Sequence, residues 1–311
     1  MKNVFCFLFC LFYLFIYLFF GFTGGPVICS TDPYHVAICE IWIDKKKHKT
    51  KRSDFFSYIR PCFIKLADIT PLHKKGAKSD RKNYRPVLLT SVVCKVCEMI
   101  VRQQLVQFWN SNEVFIPEQF GFLKGKSCLS QLLSSFHDWA SRRNKGLTTD
   151  FIFLDLSKAF DSVPHERLLT KIHAYGIQGP LLSWLRSFLT NRYQRIVLRR
   201  HYSSWTSVLS GVPQGTVLGP ILFLIYINDI SRNIMSSTKL FADDMKLYRL
   251  LRDRLLRDTK KDVEELQKDL IRLESWSHVW QLKFNTDKCE AMHISKKMIT
   301  QVLNTIYLVT N

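Results

Sequence analysis

Apolar residues fall along this chain in patterns that change sharply with position. Val4 to Phe22 is an almost unbroken run of Phe, Leu, Tyr, Ile and Cys after the single Lys2, long enough to span a bilayer. It reads as a signal peptide or signal anchor or, because these residues share thymine-rich codons, as translated non-coding DNA joined to the rest. Residues 23–54 show no periodicity, only a Lys45–Lys51 basic run suited to solvent. Beyond them the elements become legible. Ser91–Asn110 predicts a helix, and Glu166–Tyr175 another, with apolar Leu168, Leu169, Ile172 and Tyr175 and a stop at Gly176. Pro180–Leu189 predicts a third helix, ahead of strands at Tyr193–Leu198 and Trp205–Leu209. Gly219-Pro220 opens a helix whose body, Ile221–Ile227, is wholly apolar. Val263, Leu266, Leu270, Leu273 and Trp280 line one face of a helix over Thr259–Trp280, with Thr259 and Asp262 suited to its start.

Two apolar patterns carry acids. Phe151–Leu156 is a continuous run with Asp155 near its end, the pattern of a strand buried on both faces with its acid at the C-terminal mouth. In Lys239–Tyr248, two short apolar runs flank Asp243-Asp244, which predicts a β-hairpin with both acids at its tight turn. Adjacent carboxylates repel, and neither has an obvious local basic partner. Most such pairs sit in solvated loops. A divalent cation bridging to a third carboxylate would hold this one ionised in a half-buried turn, and Asp155 supplies the third.

Composition narrows the partner more than the fold. The 311 residues hold 45 Lys and Arg against 26 Asp and Glu, a formal charge of +19 that suits a polyanion, either nucleic acid or an anionic membrane. The length allows one large domain with a sizeable core. Nine cysteines lack repeated spacing. Cys94 and Cys97 lie on a predicted helix with no second Cys/His pair at zinc-site spacing, so they read as buried apolar residues of a reducing compartment.

FLDLSKAFD (153–161), SGVPQGTVLGP (210–220) and FADDMKLY (241–248) resemble, in order, the three palm motifs of a reverse transcriptase. The pattern is similar to that of the non-LTR retrotransposons (LINEs), the jockey clade in particular. Residues 61–101 resemble the family's fingers, and LKFNTDKCEAMHIS (282–295) its next motif. EQFGFLKGKSCLSQLL (118–133) departs from the family at Leu123, where relatives carry Arg. The resemblance covers about Pro61 to about Ser295. It implies an α+β fold, a right-hand polymerase palm of antiparallel sheet backed by helices, with fingers before it, over residues 55–311. On this resemblance the thumb would lie beyond the end of the sequence and an endonuclease before its start.

The implied activity is RNA-directed DNA synthesis, extending a DNA primer on an RNA template with dNTPs. Asp155, Asp243 and Asp244 would be catalytic and hold two Mg²⁺, with Mn²⁺ as a substitute. Lys288 matches the position proposed to protonate the leaving pyrophosphate. Lys75 and Arg85 would clamp the triphosphate, whereas Lys78, Arg81 and Lys82 read as a solvated loop. Phe160 would pack under the sugar and disfavour a 2′-hydroxyl; its bland alternative is ordinary core. Gln214 and Gly215 would shape the nucleotide pocket, the glycine by letting backbone approach a base pair. Asp161 would cap the following turn. Arg192, Arg195, Arg199 and Arg200 would make a basic hairpin that tracks a nucleic-acid backbone. No obligatory protein partner is implied, and the setting would be nuclear or cytoplasmic unless residues 4–22 act as a genuine membrane or secretion signal. The alternative is a catalytically poor remnant of a retroelement that only binds nucleic acid.

Overall fold

The computed structural model describes residues 65–251, 258–294 and 299–301. The apolar run at 4–22, the basic run at 45–51 and the first residues of the region that resembles fingers lie outside them. In chain order the main elements are β1 (Leu66–His73), β2 (Tyr84–Leu89), α1 (Val92–Ser111), α2 (Cys128–Asn144), β3 (Thr148–Leu154) and the short α3 (Ala159–Ser162). Next come α4 (His165–Ala174), α5 (Gly179–Leu189), β4 (Arg192–Leu198), β5 (His201–Tyr202), β6 (Thr206–Val208) and α6 (Gly219–Ile227). The chain continues through β7 (Ser237–Phe241), β8 (Asp244–Leu251), α7 (Asp258–Trp280), β9 (Glu290–Ile294) and β10 (Ile299–Gln301).

Two sheets result. The first runs β2-β1-β4-β5, with β6 also paired to β4; β1 and β2 form an antiparallel hairpin and β1 lies parallel to β4. Its buried face holds Ala67, Ile69 and Leu88. The strands predicted at 193–198 and 205–209 therefore belong with the N-terminal hairpin, away from the sheet that carries the acids. The second sheet runs β10-β9-β3-β8-β7 and is antiparallel throughout. Its central strand, β3, buries residues of both faces, Phe151 and Ile152 among them, as the unbroken apolar run requires.

Helices cover this second sheet. The α6 body is buried throughout, as its all-apolar sequence demands. Leu266, Leu270 and Leu273 of α7 are buried at helical spacing, with Val263 and Trp280 packed at the margin. Burying each such leucine is worth roughly 1.5–3 kcal/mol, and Asp269, accepting from the Met235 and Ser236 amides, adds a polar anchor for α7. Cys94 and Cys97 are buried on α1, whose N-terminus is capped by the Ser91 side chain. Gly176 follows α4 with φ 90°, a left-handed stop that a residue with a Cβ adopts poorly. Among the described residues no helix is long and apolar enough to cross a membrane.

One buried cation marks the α4–α7 contact. Lys171 hydrogen-bonds the Tyr226 carbonyl, pairs with Asp229, and lies 3.7 Å from the Trp280 ring centroid. Burial lowers its pKa to about 8, against about 10.4 for a lysine in an unfolded chain. Between those values the unfolded chain binds the extra proton, so the Lys171 contribution to stability rises with pH across that interval. The melting-temperature difference between wild type and Lys171→Met should therefore widen in favour of wild type from about pH 8 to 10; a difference independent of pH would refute it.

Candidate active site

The antiparallel register decides where the acids go. Leu154, the last residue of β3, lies opposite Met245 of β8, and Phe241 of β7 pairs with Asp244. The C-terminal end of β3 is thus the N-terminal end of β8, and Asp155 emerges beside the β7–β8 turn. That turn consists of Ala242 and Asp243, with Asp244 already the first residue of β8. Only one of the two acids expected at the turn is in it. Ala242 has φ 54°, the sign that a two-residue hairpin needs to match strand twist and that non-glycine residues adopt at a cost.

A cation also arrives. Residues 283–289 run back along the end of β3: the Ser157 amide donates to the Lys283 carbonyl at 2.8 Å and the Asn285 amide to the Asp155 carbonyl at 2.8 Å. This brings Lys288 Nζ to 2.6 Å from Asp155 Oδ2. Asp243, half-buried, has its pKa raised by burial first and then by the Asp244 and Asp155 charges. Asp244 is raised by burial and by Asp155. Lys288 is raised by its hydrogen bond to Asp155 and by all three carboxylates. These four side chains form one electrostatic unit.

The other expected site residues are engaged differently. Phe160, on α3, is half-buried; it stacks on Phe223 with centroids 4.5 Å apart and meets Phe122 edge-on at 6.4 Å. Gln214 donates from Nε2 to Asp161 Oδ1 at 3.4 Å, and its carbonyl accepts from the Leu88 amide at 2.9 Å. Asp161 makes no helix cap, contrary to expectation. It ties α3 to the 210–214 turn, its carbonyl also accepting from Ser210 Oγ. Gly215 has φ 95°, and a Cβ there would stand 2.6 Å from the Leu88 carbonyl oxygen. The close approach that this glycine permits is therefore to strand β2. Lys75 and Arg85 are exposed on the β1–β2 hairpin. The hairpin loop is shaped by its own bonds: Asn83 Nδ2 donates to the Ala77 carbonyl at 2.9 Å and Tyr84 Oη to Lys78 at 2.8 Å. Among the described residues neither Lys75 nor Arg85 makes a polar contact with the carboxylates, although the neighbouring Lys74 charge reaches Asp161.

Two supports went unread in the sequence. Gln119 is 2% exposed and hydrogen-bonds the main chain of Ala242. Glu98 is fully buried, and its Oε2 accepts from the Val217 and Leu218 amides at 2.7 and 3.0 Å, fixing the turn that leads into α6.

Residues 72–308 match the family described as reverse transcriptase (RNA-dependent DNA polymerase). The chain belongs to the reverse transcriptase family. It is 28% identical over 242 residues to the probable RNA-directed DNA polymerase from transposon BS of Drosophila melanogaster. It is 29% identical over 231 residues to that from transposon X-element, and 28% identical over 232 residues to the RNA-directed DNA polymerase from mobile element jockey, both of the same organism. Each match covers 72% of this chain and 25% of the relative, so the chain spans about a quarter of these curated relatives. Among solved structures, apo telomerase from Candida tropicalis truncated from its C-terminal domain superposes with a TM-score of 0.52 at 12% identity, over 77% of this chain and 55% of that one. That likeness is one of fold: a right-hand polymerase palm of sheet backed by helices.

Within this reverse transcriptase fold the expected basic hairpin needs correction. Arg192 is buried, donates to the Phe188 carbonyl at 3.1 Å, and has its pKa lowered to about 10 by that burial. Arg195 pairs with Asp68 at 2.7 Å and lies between the Tyr202 and Trp205 rings, 4.4 and 4.5 Å from their centroids. Of the four arginines, Arg199 and Arg200 stand exposed.

The palm acids suit a hard divalent cation. Their donors are all carboxylate oxygens, two of the three have pKa values raised by burial and, less, by mutual repulsion, and an ammonium already sits where Asp155 would meet a positive charge. As the side chains stand, no three His, Cys, Asp or Glu groups among the described residues converge as ligands; Asp155 is turned to Lys288. Removing one repelling charge should relieve the metal-free protein. Asp243→Asn is expected to raise the melting temperature in EDTA by a few degrees and to abolish the further rise expected of wild type on adding Mg²⁺. A variant that melts lower in EDTA and still gains from Mg²⁺ would contradict this.

Proposed function

We propose that the chain carries out RNA-templated DNA synthesis, in which a DNA primer 3′-hydroxyl attacks the α-phosphorus of a dNTP and pyrophosphate leaves. What carries the reading is the meeting of Asp155 with the Asp243-Asp244 hairpin beside Lys288, in a chain of the reverse transcriptase family. Asp155, Asp243 and Asp244 would hold two divalent cations, Mg²⁺ or Mn²⁺, which when bound supply an activated hydroxyl and neutralise the leaving charge. Asp243 and Asp155 do most of this holding, and Asp244 supports the hairpin. Lys288, its pKa raised by Asp155, keeps its proton at neutral pH and presents it to the departing pyrophosphate. Lys75 and Arg85 offer exposed cations to the triphosphate, the arginine in bidentate geometry. Gln214 and Gly215 hold the nucleotide side of the pocket against β2. Fingers and palm act together as one unit over residues 55–311, on an RNA template and DNA primer.

The test is single-nucleotide addition to a DNA primer by the full chain on RNA and DNA templates. Template-directed, divalent-dependent dNTP addition on RNA is expected. Binding of primer–template without any addition would replace this reading with that of a nucleic-acid-binding remnant.

Phe160 gives a narrower test. Its ring is braced by Phe223 and would face the sugar, so Phe160→Val should raise ribonucleotide incorporation relative to dNTP by about tenfold or more. It should also lower stability, since the lost ring leaves a cavity worth roughly 1–3 kcal/mol. Lower stability with unchanged sugar preference would reduce Phe160 to packing.

A further inference from the structure

The turn that carries Asp243 is held from outside its own hairpin. Residues 118–120 run beside β7 as a short parallel bridge: the Leu240 amide donates to the Glu118 carbonyl at 2.9 Å and the Phe120 amide to the Leu240 carbonyl at 2.8 Å. This alignment sends the Gln119 side chain under the turn. Its Oε1 accepts from the Ala242 amide at 2.9 Å and from the Gly121 amide at 2.7 Å, and its Nε2 lies 3.4 Å from the Ala242 carbonyl. Both peptide groups flanking the Ala242 Cα are therefore gripped by one amide. Its neighbour makes room for the grip, since a Cβ at Gly121 would fall 2.4 Å from the Ala242 nitrogen.

The grip falls on the one residue of the turn with a left-handed backbone. Ala242 holds φ 54° without being glycine, a conformation that a residue with a Cβ adopts at a cost and that relaxes unless its surroundings hold it. If the Ala242 peptides rotate, Asp243 rotates with them. We propose that Gln119 is a positioning residue for the reaction, clamping Ala242 in its left-handed conformation and so aiming the Asp243 carboxylate. This rests on the polymerase reading above. It assigns to the Glu118–Gly121 stretch a role in setting the geometry of the palm acids, separate from any contact with template or nucleotide.

The test compares wild type, Gln119→Met, Ala242→Gly and the double variant in the full chain. Methionine keeps the side chain's length and apolar stem but loses both grips. Misplacing a catalytic group by about 1 Å costs on the order of a hundredfold. Gln119→Met is therefore expected to lower kcat for single-nucleotide addition by about that factor with KM for dNTP little changed, and to lower the melting temperature as the Gly121 and Ala242 amides lose their acceptor. Hydrogen exchange at the Ala242 amide should speed up at least tenfold in this variant, a readout that needs no activity. Because glycine takes the left-handed conformation without strain, Gln119→Met should cost much less in the Ala242→Gly background. Should Gln119→Met fail to fold, Gln119→Glu, which keeps the acceptor and loses the donor, replaces it in the same cycle. A wild-type kcat in the gripless variant overturns the inference while leaving the polymerase reading intact, as does a loss equal in both backgrounds. Wild type that adds no nucleotide overturns the polymerase reading itself, whatever the exchange data show.

Discussion

Asp243→Asn should reduce primer extension by roughly a thousandfold or more while leaving primer–template affinity almost unchanged. The asymmetry follows from where the charge is used. Asp243 is half-buried at a turn and shares its field with Asp155 and Asp244, and a carboxylate offers the phosphates of a primer–template no attraction of its own. Loss of one such charge removes several kcal/mol of stabilisation that is made only as charge develops at the reacting centre. Asparagine preserves the volume and the turn, so binding has no reason to weaken. Extension within tenfold of wild type would show that Asp243 is not part of the reacting centre.

A comparably large effect is expected from salt alone. The β1–β2 hairpin exposes Lys74, Lys75, Lys78, Arg81, Lys82 and Arg85, and the β4–β5 turn exposes Arg199 and Arg200. If the six of these other than Lys75 and Arg85 neutralise phosphates, primer–template affinity should fall on the order of 10³-fold between 50 and 200 mM salt. Arg192 and Arg195 should not share in it, one being buried and the other paired with Asp68 and packed between rings. Gel-shift titrations at several salt concentrations should thus give the same slope for wild type and Arg195→Gln, and a shallower one for Arg199→Gln with Arg200→Gln. A flat salt dependence in wild type would mean that the charge serves something other than nucleic acid.

These two predictions differ in how far the sequence anticipates them. The acids are legible because each lies next to an apolar run whose period sets its strand, so Asp155 and the β7–β8 hairpin follow from local pattern. Even so, the turn is shifted by one residue, because Ala242 takes a backbone conformation that its side chain does not advertise. The α7 stripe is legible for the same reason of periodicity, Leu266, Leu270 and Leu273 all being buried. The four arginines at 192–200 show the limit. Sequence displays their charge but not their partners, and Asp68, Phe188 and the Tyr202 and Trp205 rings come from the fold. Gly215 likewise gives no sign in sequence that its backbone lies against Leu88 of β2. Gln119 was illegible for the plainest reason: its partner lies 123 residues away in sequence, and an amide between a glutamate and a phenylalanine carries no pattern of its own.

Nucleotide transfer as proposed depends on cations held by Asp155, Asp243 and Asp244. Mn²⁺ titration followed by electron paramagnetic resonance tests this directly, using the full chain with primer, RNA template and a dNTP on a chain-terminated primer. Wild type should bind two Mn²⁺ per chain that Mg²⁺ displaces, and both Asp155→Asn and Asp243→Asn should lose at least one of them. Mn²⁺ binding unchanged in both variants would contradict the account.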